Sequence, residues 1–168
     1  MEIRTPISVQ EYLSTAYSPD CDFVDGEVQE RNLGELDHGR LQKRLLMYFG
    51  LREKEWGIEV VPEQRVQVSP TRFRIPDVCV VLGEPDGQIL RKPPFLCIEI
   101  LSPEDRLSRM RERVEDYFKM GVPHVWVVDP ATQAAYQITP AEGWREVKDG
   151  LLQTQNPHFE VPLAEIFA

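Results

Sequence analysis

A strand–helix–strand pattern in the middle of the chain constrains its fold most. A nearly all-apolar run, Phe95 to Leu101, is followed by a helical pattern from about Arg106 to Met120 and by a second apolar run, His124 to Val128. Gly121 and Pro123 form a strong stop signal for the helix. Nearly all-apolar strands are typical of the centre of a sheet, and a crossover of this kind joins parallel strands. We therefore expect an α/β domain with a mixed sheet.

Further helices and strands are predicted on both sides of this crossover. Ser8 stands three residues ahead of Glu11, the spacing of a capping box, and predicts a short helix. Asp25-Gly26, within the segment from Cys21 to Arg31, favours a tight hairpin turn. The other predicted elements are a long helix from Glu35 to about Lys54, a strand from Ile58 to Val68 with Pro62 at an edge or bulge, a strand from Arg74 to Leu82, and short antiparallel strands over 134–138, 143–148 and 151–154. Because no linker or repeat divides the chain, we expect one domain over residues 1–168.

Composition limits where the protein works and what it binds. Of the 168 residues, 42% are apolar and 28% are charged, which is typical of soluble globular proteins. Because the sequence shows neither an apolar run near the ~20 residues of a membrane helix nor a secretory signal, we expect a cytoplasmic protein. Cys21, Cys79 and Cys97 lack the spacing of a zinc site and are expected to be structural thiols. The net charge of −9 argues against nucleic-acid binding over the whole surface but leaves a local basic patch open.

Two carboxylates stand where the sequence predicts neighbouring strands. Asp77 lies in the predicted strand that ends at Leu82, and Glu99 lies in the apolar strand that follows. If the strands pair, the two side chains meet at about 5 Å and repel each other unless a cation joins them. Magnesium or manganese, which prefers oxygen ligands, meets that need and can activate water for attack on a phosphodiester. In the structural alternative, Asp77 caps a turn and Glu99 pairs with an arginine.

The order of short motifs along the chain favours the metal site over this alternative. These motifs are Val24-Asp25-Gly26-Glu27, Gly34-Glu35 with His38, Arg74-Ile75-Pro76-Asp77, Glu99-Ile100-Leu101-Ser102-Pro103, Tyr117 and the block from Gly121 to Pro130. Together they resemble the Uma-type family of "putative restriction endonucleases", bacterial proteins of the PD-(D/E)xK nuclease superfamily. The resemblance covers roughly Ser8 to Pro130. It implies a restriction-endonuclease-like fold with a mixed β-sheet flanked by helices, DNA as the substrate, and a homodimer.

The resemblance also implies a set of site residues. Asp77 and Glu99 would bind Mg²⁺ or Mn²⁺, with the main-chain carbonyl of Ile100 as a further ligand. The lysine of the motif is replaced by Leu101, and the position on the next helix to which the family displaces that lysine holds Arg113. Arginine stays charged, so Arg113 can stabilise an anion but is a poor general base.

Three accessory residues are candidates for the remaining chemistry. With arginine in place of lysine, cleavage would rely on a metal-bound water or on a neighbour such as Lys119 or His38. Glu27, at the exit of the hairpin turn, either adds a third carboxylate near the metal or is a surface residue. His38 either assists proton transfer, because its pKa lies close to neutral, or is a helix-start residue hydrogen-bonded to the hairpin.

The predicted helix after Glu99 is both amphipathic and basic. Its apolar stripe, expected to face the sheet, consists of Leu107, Met110, Val114, Tyr117 and Phe118. Its basic residues are Arg106, Arg109, Arg111 and Arg113. They form either a phosphate-facing patch or a solvated helix face paired with neighbouring acidic residues.

Two functions of different classes follow from these features. In the first, the chain is a metal-dependent endonuclease that hydrolyses DNA phosphodiester bonds, with Asp77, Glu99 and Arg113 as its catalytic residues. In the second, it is a catalytically degenerate nuclease-fold protein that acts as a binding or assembly module. The absence of lysine from both expected positions and the net charge of −9 favour the second.

Overall fold

The computed structural model describes residues 5–32 and 34–167. Its helices are α1 (Val9–Ser14), α2 (Leu36–Gly50), α3 (Glu53–Trp56), α4 (Leu107–Met120) and α5 (Leu163–Phe167). A central six-stranded sheet has the order β10 (Gly143–Glu146), β9 (Ala134–Thr139), β8 (His124–Asp129), β7 (Leu96–Ile100), β6 (Val78–Leu82) and β3 (Ile58–Pro62). A four-stranded sheet has the order β2 (Glu27–Gln29), β1 (Asp22–Val24), β5 (Arg72–Arg74) and β4 (Val66–Ser69), and β11 (Leu151–Gln153) pairs with β12 (Glu160–Pro162).

The predicted crossover forms the middle of the central sheet. Strands β7 and β8 pair in parallel and α4 connects them, whereas the other neighbours in this sheet pair antiparallel. Helix α2 packs on one face, where Leu45 and Phe49 join the core of Ile98 and Trp126. Helix α4 covers the opposite face. The prediction of a mixed sheet flanked by helices is confirmed.

The four-stranded sheet is fixed by the N-terminal hairpin. Strand β1 pairs with both β2 and β5, so the hairpin lies beside Arg72–Arg74. The rings of Tyr12 and Phe23 stack at 4.8 Å between centroids, and the Tyr12 hydroxyl donates a hydrogen bond to the Cys21 carbonyl at 2.7 Å. This apolar cluster holds β1 in place and thereby positions Asp22, the first residue of the strand.

The helix cap predicted at Ser8 and the hairpin turn predicted at Asp25-Gly26 are both confirmed. The Ser8 hydroxyl accepts a hydrogen bond from the Glu11 amide at 3.1 Å, as a helix N-cap does. In the hairpin turn, Asp25 and Gly26 both have positive φ, +48° and +94°. Glycine and aspartate tolerate this left-handed conformation, which the twist of a two-residue hairpin requires.

Several element boundaries differ from the prediction. The strand predicted over Ile58 to Val68 is two strands in different sheets, because the chain turns between them at Glu63, whose φ is +49°. The strand predicted over Arg74 to Leu82 is likewise divided, so Asp77 lies immediately ahead of β6. The long helix ends at Gly50, before the separate short helix α3.

Two further corrections concern α4 and the tail. Met110, Val114 and Tyr117 are buried as predicted, but Leu107 is 59% exposed, because it is the first residue of the helix. The three tail strands are confirmed. Strand β12 and helix α5 were not predicted. In the part of the chain that the structure describes, no helix is both long and apolar enough to cross a membrane.

Candidate active site

Strand pairing brings Asp77 and Glu99 into one cleft. The register of β6 and β7 pairs Cys79 with Cys97 and Val78 with Ile98, which places Asp77 opposite Glu99. Both carboxylates are buried, with 5% and 3% of their surface exposed. They line a small cleft of about 60 Å³ at the meeting of the two larger sheets. The cleft is also lined by Asp22, Arg31, His38, Arg74, Ile100, Arg109 and Arg113.

Asp77 is held by contacts from three parts of the chain. Its Oδ2 accepts a hydrogen bond from the Ile100 amide at 2.7 Å. Its Oδ1 accepts one from Arg31 Nη2 at 3.1 Å and lies 3.3 Å from His38 Nε2. Burial alone would raise the pKa of Asp77, but His38, the Ile100 amide and Arg31 together hold it below its ordinary value. The hydrogen bond to Asp77 raises the pKa of His38 in turn, against the opposing effect of burial.

The two oxygens of Glu99 differ in the hydrogen bonds that they accept from the described residues. Its Oε1 accepts hydrogen bonds from Arg113 Nε and Nη2 at 3.1 and 2.9 Å and from the Tyr117 hydroxyl at 2.6 Å. Its Oε2 has no hydrogen-bond partner among residues 5–32 and 34–167. The net effect of its surroundings raises the pKa of Glu99 to about 7: burial raises it most, the Arg113 charge opposes this, and the Asp77 charge adds to the rise. The carboxylate is therefore incompletely compensated.

Arg113 lies between two buried carboxylates. Besides Glu99, its Nη1 donates to Asp22 Oδ2 at 2.7 Å and its Nη2 donates to the Ile75 carbonyl at 3.0 Å. Asp22 also accepts hydrogen bonds from Arg74 Nη1 and from the Ile75 amide, both at 3.2 Å. The guanidinium thus links the N-terminal hairpin to the central sheet and supplies positive charge next to Glu99.

The oxygen donors of the cleft fit a hard divalent cation. Within the described residues, no group of three or more His, Cys, Asp or Glu side chains is arranged to hold a metal ion. Magnesium nevertheless keeps several waters and is commonly bound by only one or two carboxylates. Glu99 Oε2 is available for such a contact, whereas an ion at Asp77 would replace the contacts of Arg31 and His38.

The structure brings together most of the predicted site residues. Asp77, Glu99, Ile100, His38 and Arg113 all line the cleft. Two accessory candidates lie outside it. Glu27 is exposed on β2 and lines a separate groove beside the N-terminal segment, and Lys119 is exposed in the last turn of α4.

Sequence reasoning missed Asp22, Arg31 and Arg74. Asp22 and Arg74 are charged residues in short strands, next to Phe23 and Phe73, and a charge among apolar strand residues is the signal that would have found them. Their mutual pairing could not be predicted, because they are 52 positions apart and no local rule connects them. Arg31 follows the hairpin and carries no pattern that distinguishes it from a surface arginine.

Comparison with known proteins places the chain in a family. A family model described as "Uma2: Putative restriction endonuclease" matches residues 9–165. The chain belongs to the Uma2 family. Among solved structures, it is similar to a "putative nuclease belonging to DUF820" from Anabaena variabilis, with a TM-score of 0.81 and 18% identity over 96% of this chain and 98% of that one. The Uma2 chain has no match among curated proteins.

Proposed function

We propose that this Uma2 protein is a magnesium- or manganese-dependent endonuclease that hydrolyses phosphodiester bonds of DNA at the cleft around Asp77 and Glu99. One structural feature supports this activity above the others. Two buried carboxylates from adjacent strands face the same cleft, and one of them, Glu99, keeps an oxygen without a hydrogen-bond partner in the described chain. The family description adds support for DNA as the substrate.

The proposed roles divide between the cation and the side chains around it. Asp77, Glu99 and the carbonyl of Ile100 would hold the ion, which when bound supplies a Lewis acid that lowers the pKa of water and offsets phosphate charge. Arg113 orients Glu99 and favours its ionised form against the effect of burial. His38 lines the cleft beside Asp77, and its imidazole is a group that can take up or release a proton there.

Cleavage and metal binding test this proposal together. Wild-type protein should nick supercoiled plasmid DNA with Mg²⁺ or Mn²⁺, and Asp77→Asn and Glu99→Gln should each lower the rate by roughly 100-fold or more. Glu27→Gln, a matched change of a carboxylate outside the cleft, should leave the rate unchanged. Calorimetry should detect Mn²⁺ binding to the wild type and its loss in both cleft variants. A wild type that neither binds millimolar Mn²⁺ nor cleaves DNA would exclude the nuclease.

A second candidate is a catalytically degenerate protein that uses the same fold as a binding or assembly module. No lysine lines the cleft in the part of the chain that is described, and the Arg113 guanidinium is already occupied by Glu99, Asp22 and Ile75. Arg113→Lys separates the two candidates. Cleavage by the lysine variant alone would show a disabled site, whereas cleavage by the wild type would exclude degeneracy.

We also propose a homodimer in the cytoplasm. A two-fold assembly lets two copies of one site address both strands of a duplex, and light scattering coupled to size-exclusion chromatography measures the mass in solution. The three cysteines are free and buried, as suits a reducing compartment.

A further inference from the structure

We infer that Arg109 is the residue of the cleft that binds a phosphate group of the nucleic acid. This assignment rests on the proposed function and adds to it a substrate contact. It replaces Arg113, which the motif position had suggested for that contact.

Arg113 has little capacity left for a substrate. Arginine has five N–H groups, and those of Arg113 make four hydrogen bonds to Glu99, Asp22 and the Ile75 carbonyl. Turning the guanidinium toward a phosphate would leave Asp22 and Glu99 buried without this partner, which is costly. Arg113 therefore serves the protein's own carboxylates.

Arg74, the buried arginine of the cleft, is occupied in a similar way. Arg74 is 2% exposed and pairs with Asp116 at 2.7 Å and with Asp22 at 3.2 Å. Arg31 is half committed, because it donates to Asp77 and lies 3.9 Å from Glu63. As long as no metal ion occupies Asp77, neither can bind a phosphate without giving up a carboxylate.

Arg109 differs from these three residues in both exposure and partners. It lies in the first turns of α4, lines the same cleft and is exposed. With the residues that the structure describes, it forms no ion pair and no side-chain hydrogen bond. The cleft also contains the carboxylates of Asp22, Asp77 and Glu99, which repel a phosphate, so an exposed arginine that lines the cleft without a carboxylate partner in the described chain is the group that can attract one.

Arg111 provides a matched control on the same helix. It is exposed and, like Arg109, has no ion pair within the described residues. It lines a different groove, with Leu101, Tyr136 and Trp144, on the other side of α4. Replacing either arginine by glutamine changes the net charge of the protein equally, so only position distinguishes the two variants.

Binding of a short fluorescein-labelled DNA duplex, followed by anisotropy with EDTA present, tests the assignment without cleavage. Arg109→Gln should bind about tenfold more weakly than wild type at low salt. Between about 50 and 200 mM salt, its plot of log affinity against log salt should be less steep by about one unit, the loss of one phosphate contact. Arg111→Gln should follow the wild type in both measurements.

The remaining outcomes overturn the assignment in distinguishable ways. If Arg109→Gln binds like the wild type, Arg109 is not the phosphate contact, but the proposed nuclease stands. If both variants lose affinity equally, the positive charge on both sides of α4 attracts DNA without preference and the cleft is not its site. If the wild type does not bind DNA in EDTA, this assignment fails, whereas the proposed nuclease is decided separately by cleavage with Mg²⁺ or Mn²⁺.

Discussion

Two arginines, the buried Arg74 and the half-buried Arg113, share the single carboxylate of Asp22. Asp22 is 1% exposed, and its Oδ1 also accepts the Ile75 amide, so nearly all of its hydrogen-bonding capacity is used inside the protein. The charge of Asp22 stabilises the fold because its arginine partners have little access to water that could replace the lost hydrogen bonds.

We predict that Asp22→Asn lowers the free energy of unfolding by about 3–5 kcal/mol, because it leaves the buried guanidinium of Arg74 and the half-buried one of Arg113 short of negative charge. Asp25→Asn, in the same hairpin, is the control. Asp25 pairs with Arg72 at 2.7 Å but its side chain is 52% exposed, so the loss should stay below about 1 kcal/mol. Urea unfolding monitored by circular dichroism measures both, and equal losses would contradict the role given to Asp22.

His124 gives a pH dependence that is independent of the cleft. Its side chain is buried at the start of β8, and its Nε2 lies 3.0 Å from the Gln155 carbonyl oxygen. Burial lowers the pKa of His124 below its ordinary value of 6.5, and the hydrogen bond to Gln155 only partly offsets this effect. The unfolded chain therefore binds a proton at higher pH than the folded protein does.

We predict that His124 makes the protein less stable as the pH falls below about 6.5, because protonation then favours the unfolded chain. The raised pKa of His38 acts in the opposite direction, so the comparison must be made between variants. Urea unfolding at pH 7.5 and 5.5 should show a smaller loss of stability on acidification for His124→Gln than for the wild type. An unchanged loss would show that His124 titrates alike in both states.

At the scale of single elements, the end of α4 depends on one glycine. Gly121 is the C-cap of the helix with φ +108°, and a Cβ there would lie 3.3 Å from Cγ of Pro93. Glycine adopts this left-handed conformation without the steric cost that a side chain adds. The cap also sets the direction in which the chain enters β8, and with it the position of the parallel strand pair.

We predict that Gly121→Ala lowers the free energy of unfolding by about 1–2 kcal/mol. Gly39→Ala is the opposite control, because Gly39 lies inside α2 and a Cβ there meets nothing within 4 Å. That change should raise stability by up to about 1 kcal/mol, since glycine is a poor helix former. Thermal unfolding should show a lower melting temperature for Gly121→Ala and a higher one for Gly39→Ala than for the wild type. Shifts of both melting temperatures in the same direction would contradict the role of Gly121 as the C-cap.

Elements with strong local signals could be predicted from the sequence, and those that depend on distant partners could not. The Ser8 cap, the Asp25-Gly26 hairpin and the strong stop at Gly121 are all encoded within a few residues of where they occur. The division of the strand predicted over Ile58 to Val68 was missed, because its alternation is continuous and the turn at Glu63 only becomes favourable when the halves join different sheets.

In the molecule as a whole, the cleft likewise combines features that could be predicted from the sequence with features that depend on distant partners. The meeting of Asp77 and Glu99 followed from the alternation of side chains on adjacent strands, and the register confirms it. Charge repulsion predicts a cation between them but does not distinguish a metal ion from a guanidinium, so the metal was expected from the family resemblance and an arginine partner remained the alternative. Arg113 supplies part of the positive charge beside Glu99, and Asp22 of the distant hairpin holds its guanidinium there.

The shared buried charges also bear on how such a protein can change over evolutionary time. Replacing Asp22, Glu99 or Arg113 alone passes through an intermediate with an uncompensated buried charge, whereas exchanging the set together can be nearly neutral. Among related proteins, we therefore expect the residues at positions 22, 99 and 113 to be either all retained or all replaced together. Arg109, exposed and uncommitted within the described chain, is free of that restraint. Retention of a basic residue there would record selection for what the cleft binds, separately from selection for the fold.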